Sequence, residues 1–264
     1  MSAATDARMS SLDRMLDDGK VGDNFASEMF AVVDLLDSSA ALRRAVTDPG
    51  TPESARRALV HGLLDGKVDE AVADLVAEAA TLRWAGGRTF AAALERQAVR
   101  AQLIVADRRG ELEDTEDQLF RFARLVESNP ELRNLLGDRA LGLGRRQELV
   151  EGLLTGRATE ATILLARRAV VARERTFGQT IEGYVTLAAA QKNRVVATVR
   201  VAGPLSADQR DRLRAALRKK LGREVAIQEV IDPDILGGVR VELGEEVFEG
   251  TVSGRLEEAR RLFG

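Results

Sequence analysis

Few side chains in this sequence could do chemistry, and each has a quieter use beside the chemical one. His61 is the only histidine and its residue type could serve as a general base near neutral pH. It lies between Val60 and Gly62 on a helical stretch, and ninety positions further on an equivalent stretch carries Glu151 in its place. A group that Glu replaces at the matching position is no required base, so His61 reads as structural or solvated. Asp232, Asp234 and Glu242 could offer oxygen ligands to a cation. They lack the ligand spacing of a calcium loop and read as turn chemistry around Pro233. Gly62-x-x-x-Gly66-Lys67-Val68 has the outline of a phosphate loop, but it is one residue short and no Ser or Thr follows the Lys. Gly156-Arg157 repeats it, so both read as helix C-caps.

The pairs Arg43-Arg44, Arg56-Arg57, Arg108-Arg109, Arg145-Arg146, Arg167-Arg168 and Arg260-Arg261 could touch nucleic acid. They are scattered and offset by acids, which suits a solvated face or an ion-pair rim. Trp84, beside Gly86-Gly87, reads as a core plug rather than a stacking platform. The chain has no Cys, which removes thiolate nucleophiles, a disulfide frame and Cys-based zinc sites. No catalytic, metal or cofactor constellation stands, so neither an enzyme nor a cofactor is expected.

At 264 residues the chain can bury a core in each of two or three ordinary domains. The net charge of −3 argues against coating nucleic acid or anionic lipid. Asp6, Arg8, Asp13 and Arg14 interrupt any apolar run at the start, so no export signal is expected and the protein is placed in the cytoplasm. No stretch is apolar for long enough to cross a membrane.

The elements that would position these groups follow from hydrophobic period. Residues 1–24 carry Met9, Leu12, Met15 and Leu16 at helical spacing, but an acidic stretch and Gly19 predict a short, loosely held segment. Phe25, Met29, Phe30, Val32, Val33 and Leu36 form a stripe wide enough to face a core. Asp48 to Pro52 is a turn, and further helices run to Leu64, to Trp84 and to about Arg109. The same order recurs ninety residues on: Leu35 matches Leu125, Ser38 matches Ser128, Leu42-Arg43 matches Leu132-Arg133, Gly62-Leu63-Leu64 matches Gly152-Leu153-Leu154, and Gly66 matches Gly156. A period this long predicts two domains rather than a solenoid, each a bundle of about five helices: 25–112 and 113–194. In the second copy Thr115 and Gln118 fit a capping box, and Asn129-Pro130 an N-cap with Pro at the first helical position.

After Asn193 the period becomes two, at Val195, Ala197, Val199 and Val201. A capping box at Ser206 and Gln209 starts a helix that must cross to the strand at 225–231, which Asp232-Pro233 ends. Val239, Val241 and Leu243 alternate with charged residues, a short turn follows, and Val247-Phe248 starts a return strand. Gly250-Thr251 leads into a closing helix with Val252, Leu256, Ala259 and Phe263 on one stripe. The expected fold is mainly α with a C-terminal α/β module of β-α-β-β-β-α order at 195–264.

In that module Asp232-Pro233, Gly237-Gly238, Val239, Val241, Gly244, Val247-Phe248, Gly250-Thr251 and Arg255-Leu256 stand at spacings that resemble the C-terminal signature of the delta subunit of F-type ATP synthase, the oligomycin-sensitivity-conferring (OSCP) subunit of mitochondria. Thr251 stands where that family often has Ser, and either hydroxyl can cap a helix. Val195 to Gln209, with Pro204-Leu205-Ser206, is similar to the start of the family's C-terminal module, and Asn129-Pro130-Glu131-Leu132 and Arg173 to Phe177 resemble its helical domain. The extra copy at 25–112 departs from the single-domain pattern and resembles long forms from high-GC Gram-positive bacteria.

The resemblance implies a non-catalytic peripheral-stalk, or stator, subunit, with no cofactor and no nucleic acid. It implies a helical domain gripping N-terminal helices of α subunits and a C-terminal part meeting the end of the b subunit. The α3β3 head would thereby be held against rotation, and ATP synthesis would stay coupled to proton transport. Such a subunit is peripheral, at the cytoplasmic face of the cell membrane and attached only through the complex. Family-signature residues would be structural or contact positions. A bundle of short helices fits this, because two of its helices can leave a groove for a third. The arginine pairs keep an alternative from another class open, a helical adaptor with a nucleic-acid-binding C-terminal module.

Overall fold

The computed structural model describes residues 3–171, 175–192, 194–222, 224–233, 235, 237–243 and 246–251. The chain divides into two compact units, one of Met1–Leu16 with Lys20–Lys192 and the other of Asp17–Gly19 with Asn193–Gly264. In the first, α1 (Ala3–Asp18) precedes α2 (Phe25–Ser38), α3 (Ala40–Thr47), α4 (Glu53–Leu64), α5 (Glu70–Thr81) and α6 (Gly87–Arg108). The set then recurs as α7 (Leu112–Ser128), α8 (Pro130–Gly137), α9 (Leu143–Leu154), α10 (Glu160–Ala169) and α11 (Phe177–Lys192).

The ninety-residue shift extends to the hydrogen bonds that start and stop the helices. Ser39 Oγ accepts from Leu42 N at 3.2 Å, and Asn129 Oδ1 accepts from Leu132 N at 3.1 Å. Asp48 accepts from Gly50 N at 2.9 Å, as Asp138 does from Ala140 N at 2.9 Å. The start of α5 gives Asp69 N to Glu28 at 2.7 Å, and the start of α10 gives Thr159 N to Gln118 at 2.8 Å. After α4 and α9 the chain turns through Gly66 at φ 71° and Gly156 at φ 73°, a left-handed conformation that suits Gly. Arg56 is buried and donates to the carbonyl of Ala80 at 2.6 Å, and its counterpart Arg146 donates to that of Val170 at 3.5 Å. These carbonyls end α5 and follow α10, where backbone acceptors lack helical partners. Arg56 is therefore an interior cap rather than part of an exposed rim.

The five-helix sets share one hydrophobic core. Its axis is α6, on which every residue from Gln97 to Ala106 is buried. Two expectations are corrected. The N-terminal segment is not short and loosely held but a sixteen-residue helix, α1, which does end before Gly19; Leu12 and Leu16 are buried and Asp13 pairs with Arg96 and Arg100 of α6. Thr115 and Gln118 do not cap α7, which starts earlier at Leu112. They reach α10 instead, Thr115 Oγ1 lying 3.0 Å from Thr159 Oγ1 and Gln118 accepting from Thr162 Oγ1 at 2.8 Å.

The second unit holds β1 (Arg194–Val201), α12 (Ala207–Leu221), β2 (Glu224–Ile231), β3 (Gly238–Leu243) and β4 (Glu246–Thr251). Strand order is β2-β1-β3-β4, with β1 parallel to β2 and antiparallel to β3, and β3 antiparallel to β4. The Ser206–Gln209 capping box starts α12, and Gly222 at φ 66° ends it. Ala197, Val199, Val201, Val225, Ile227, Val241 and Leu243 bury one sheet face with Leu217 of α12. The fold is mainly helical with a C-terminal α/β module. The expected helix after Thr251 lies outside the described residues.

Candidate functional site

The C-terminal signature falls on strand ends and a hairpin. Asp232 and Pro233 follow β2, where Asp232 N donates to Val201 O at 2.8 Å and so continues the bonding of β1. Gly238, Val239 and Val241 lie in β3, and its register sets Gly238 beside Thr251 and Val239 beside Gly250. The two halves of the signature are thus brought together across one ladder. Gly238 has φ 86°, a turn conformation that a side chain resists, and Gly237 precedes it. Arg200 binds Glu242 at 3.0 Å and lies 3.8 Å from Asp232. Those two acids face a fixed cation rather than a ligand vacancy. Gly244, Asp234, Arg255 and Leu256 lie outside the described residues.

The other candidate groups are bound up in structure. His61 Nδ1 is 3.0 Å from Asp65, the residue that caps the end of its helix, and Nε2 is 3.7 Å from Asp74. Lys67 Nζ donates to Leu63 O, a carbonyl in the last turn of α4, at 2.8 Å. Trp84 Nε1 donates to Ala79 O at 2.8 Å and its ring packs against Phe90, closing the end of α5. Among the described residues no cluster of acids and His could hold a metal, and no helix is long and apolar enough to cross a membrane. Of the arginine pairs, Arg57 pairs with Glu78, Arg108 donates to the carbonyl of Val21, and Arg109 meets Asp23 and Glu160 at 3.2 Å. Arg260-Arg261 lies outside the described residues.

The most elaborate polar cluster joins the two copies. Arg168 of α10, 6% exposed, donates from Nε to Glu95 of α6 at 2.8 Å and from Nη1 to Asp34 of α2 at 2.7 Å. Its guanidinium lies 4.7 Å over the ring centroid of Phe30, a cation–π geometry. The Tyr184 hydroxyl donates to Glu95 at 3.4 Å. Burial works against the Arg168 charge, but the hydrogen bonds and charges of Glu95 and Asp34 overcome it and hold the proton more firmly. Burial, reinforced by Glu95, pushes the Tyr184 phenol up, so it stays a neutral donor.

In the second copy the equivalents of Phe30, Asp34 and Glu95 are Phe120, Arg124 and Val185. Phe120 is 54% exposed where Phe30 is 6% exposed. Arg124 lies in solvent 3.7 Å from Glu127, whereas Leu125 does not distinguish the copies, its equivalent Leu35 being exposed as well. Sequence reasoning placed Arg168 on a rim, yet a signal was there. The aligned copies reverse charge at two positions, Asp34 against Arg124 and Glu78 against Arg168, and Asp34 and Arg168 are the residues that meet.

Comparison with known proteins agrees in extent with this division. The family model described as ATP synthase delta (OSCP) subunit matches residues 96–263, which leaves out most of the first copy. A protein named ATP synthase subunit delta from Beutenbergia cavernae is 45% identical, with 92% of this chain and 90% of that one aligned. Its namesake from Nocardioides sp. is 44% identical over 89% of this chain and 86% of its own. That from Streptomyces avermitilis is 42% identical over 98% of this chain and 95% of its own. Coverage this full includes the first copy, so the long form is common to these relatives.

Proposed function

This chain belongs to the ATP synthase delta (OSCP) subunit family, a structural and non-catalytic subunit, and from that premise we propose that it is the stator link between catalytic head and peripheral stalk. In this reading the helical unit holds amphipathic N-terminal helices of α subunits, and the C-terminal module meets the end of b. The link resists rotation of the head, so that proton transport stays coupled to ATP synthesis at the cytoplasmic face of the membrane. The observation that carries the reading is the ring of Phe120 on α7, exposed where its first-copy equivalent Phe30 is covered by Arg168. On the C-terminal module, Val230 and Ile231 are exposed on β2, an edge strand, a surface suited to b.

A joint under rotational load must not dissociate, so affinity in the nanomolar range, about 12 kcal/mol, is required. The test is depletion. ATP synthase stripped of this chain should lose coupling of proton flow to ATP synthesis and regain it on add-back. Stripped enzyme that remains assembled and coupled overturns the proposal.

A further inference from the structure

We infer that the groove between α4 and α5 of the first copy takes a basic helix of another chain of the assembly. The inference rests on the reading above that this subunit works by holding other chains, and it concerns a face apart from α7. The groove is open and has a volume of about 470 Å³, with Glu53, Arg57 and His61 on its α4 wall and Glu78 and Thr81 on its α5 wall. Ser54 and Ala58, small and exposed, line it from α4 as well. Small side chains at a contact let two helix axes come close.

The second copy shows what such a face does when it is filled. Ninety residues on, Arg168 stands in the place of Glu78. It is 6% exposed because α2 and α6 lie across it, where Asp34 and Glu95 accept its hydrogen bonds. Glu78 is 30% exposed and pairs with Arg57 on the opposite wall. One position on one helix therefore makes a helix contact in the second copy and stands open, with its charge reversed, in the first. Where the base is met by acids, the acid calls for bases. The surroundings agree: His61 lies between Asp65 and Asp74, which are 64% and 56% exposed, and with Glu53 and Glu78 these make four acids around Arg57. Such a field favours a basic partner and disfavours an acidic one. The occupant carries arginine or lysine on one face at a spacing of three or four residues, with small or apolar side chains toward Ala58. The exposed pair of Arg57 and Glu78 is of a kind weakly held and readily exchanged.

Photocrosslinking in the assembled ATP synthase tests this, using the full chain with a benzophenone side chain in place of Ala58. A crosslink to one other subunit is expected, and mass spectrometry should map it to a helical segment bearing arginine or lysine. The double change Glu53→Gln and Glu78→Gln should lower the yield by about threefold or more, and added salt should lower it too, while circular dichroism stays native because neither side chain is buried. An intact, coupled enzyme without a crosslink from this position would overturn the inference and leave the stator reading standing. So would a crosslink to an acidic segment, a yield indifferent to the double change, or a crosslink to a second copy of this chain. An assembly that forms and stays coupled without retaining this chain would remove the stator reading, and the inference with it.

Discussion

The two helical copies agree where backbone groups must be satisfied and differ where side chains choose neighbours. Their N-caps, Asx turns and left-handed glycines coincide at a shift of ninety residues, as do the arginines that reach the carbonyls at the ends of α5 and α10. Each of these answers a local demand, since helix ends leave donors and acceptors without intrahelical partners. The differences gather at Asp34 and Arg124, Glu78 and Arg168, and Phe30 and Phe120. All of these lie on faces, where one copy is covered by the other and the other is not. Duplication therefore kept the scaffold and made the two outer surfaces unequal.

The largest effect should come from removing the covered ring while sparing its exposed twin. Phe30→Ala should cost about 3 to 4 kcal/mol in urea unfolding, as loss of a buried phenyl does. Phe120→Ala should stay within about 0.5 kcal/mol, since its ring is half in water. Equal losses at both positions would mean that the faces are not unequal after all. Next, Arg168→Ala should cost about 2 kcal/mol. Stripping a buried ion pair of one partner is expensive, but Glu95 and Asp34 are partly exposed and recover water. Its counterpart change, Glu78→Ala, removes an exposed pair with Arg57 and should cost well under about 1 kcal/mol.

The helices were legible in the sequence because their causes are local. Ser39, Asn129-Pro130 and Ser206–Gln209 sit where their side chains can reach their own helix ends. The strands were legible for the same reason, their alternation at Val239, Val241 and Leu243 being written in adjacent residues. What was not legible depends on partners distant in sequence. The segment at 1–24 looks loosely held until Asp13 is set against Arg96 and Arg100, and Thr115–Gln118 has the letters of a cap but serves the start of α10. The covering of α2 by α10 was hidden because Arg167-Arg168 looks like any solvated pair. Only aligning the copies and asking where charge reverses would have singled it out.

A smaller effect is expected where α6 begins. A Cβ on Gly87 would stand 2.8 Å from the Cβ of Arg43, an atom that moves only with α3. At the equivalent place the second copy carries Phe177, whose ring meets Phe122 edge-on at 5.7 Å. Gly87→Ala should thus destabilise by about 1 kcal/mol, an overpacking cost of about 1 to 3 reduced by the gain of up to about 1 for Ala over Gly in a helix. A more stable Gly87→Ala protein would show that α3 and α6 are not held so closely.

The smallest change concerns a slope rather than a midpoint, and it belongs to the α1 contact that the second copy lacks. Burial would raise the Asp13 carboxyl, but the hydrogen bond from Arg96 and the charges of Arg100 and Arg96 outweigh it and hold the group below its ordinary 3.8. A carboxyl depressed in the folded state contributes stability that is fully present above 3.8 and fades as pH falls through the folded value. Asp13→Asn keeps an oxygen for Gln97, whose amide donates to Asp13 at 2.8 Å, and removes the titration. Urea midpoints measured from neutral pH down into the acid range should therefore fall less steeply for Asp13→Asn than for the native chain. Thr186, Leu187 and Ala190 stand where the first copy has Arg96, Gln97 and Arg100, so no residue of α11 at those positions can reproduce this dependence. Parallel acid profiles for the two proteins would show that α1 is not fastened to α6 through this carboxylate.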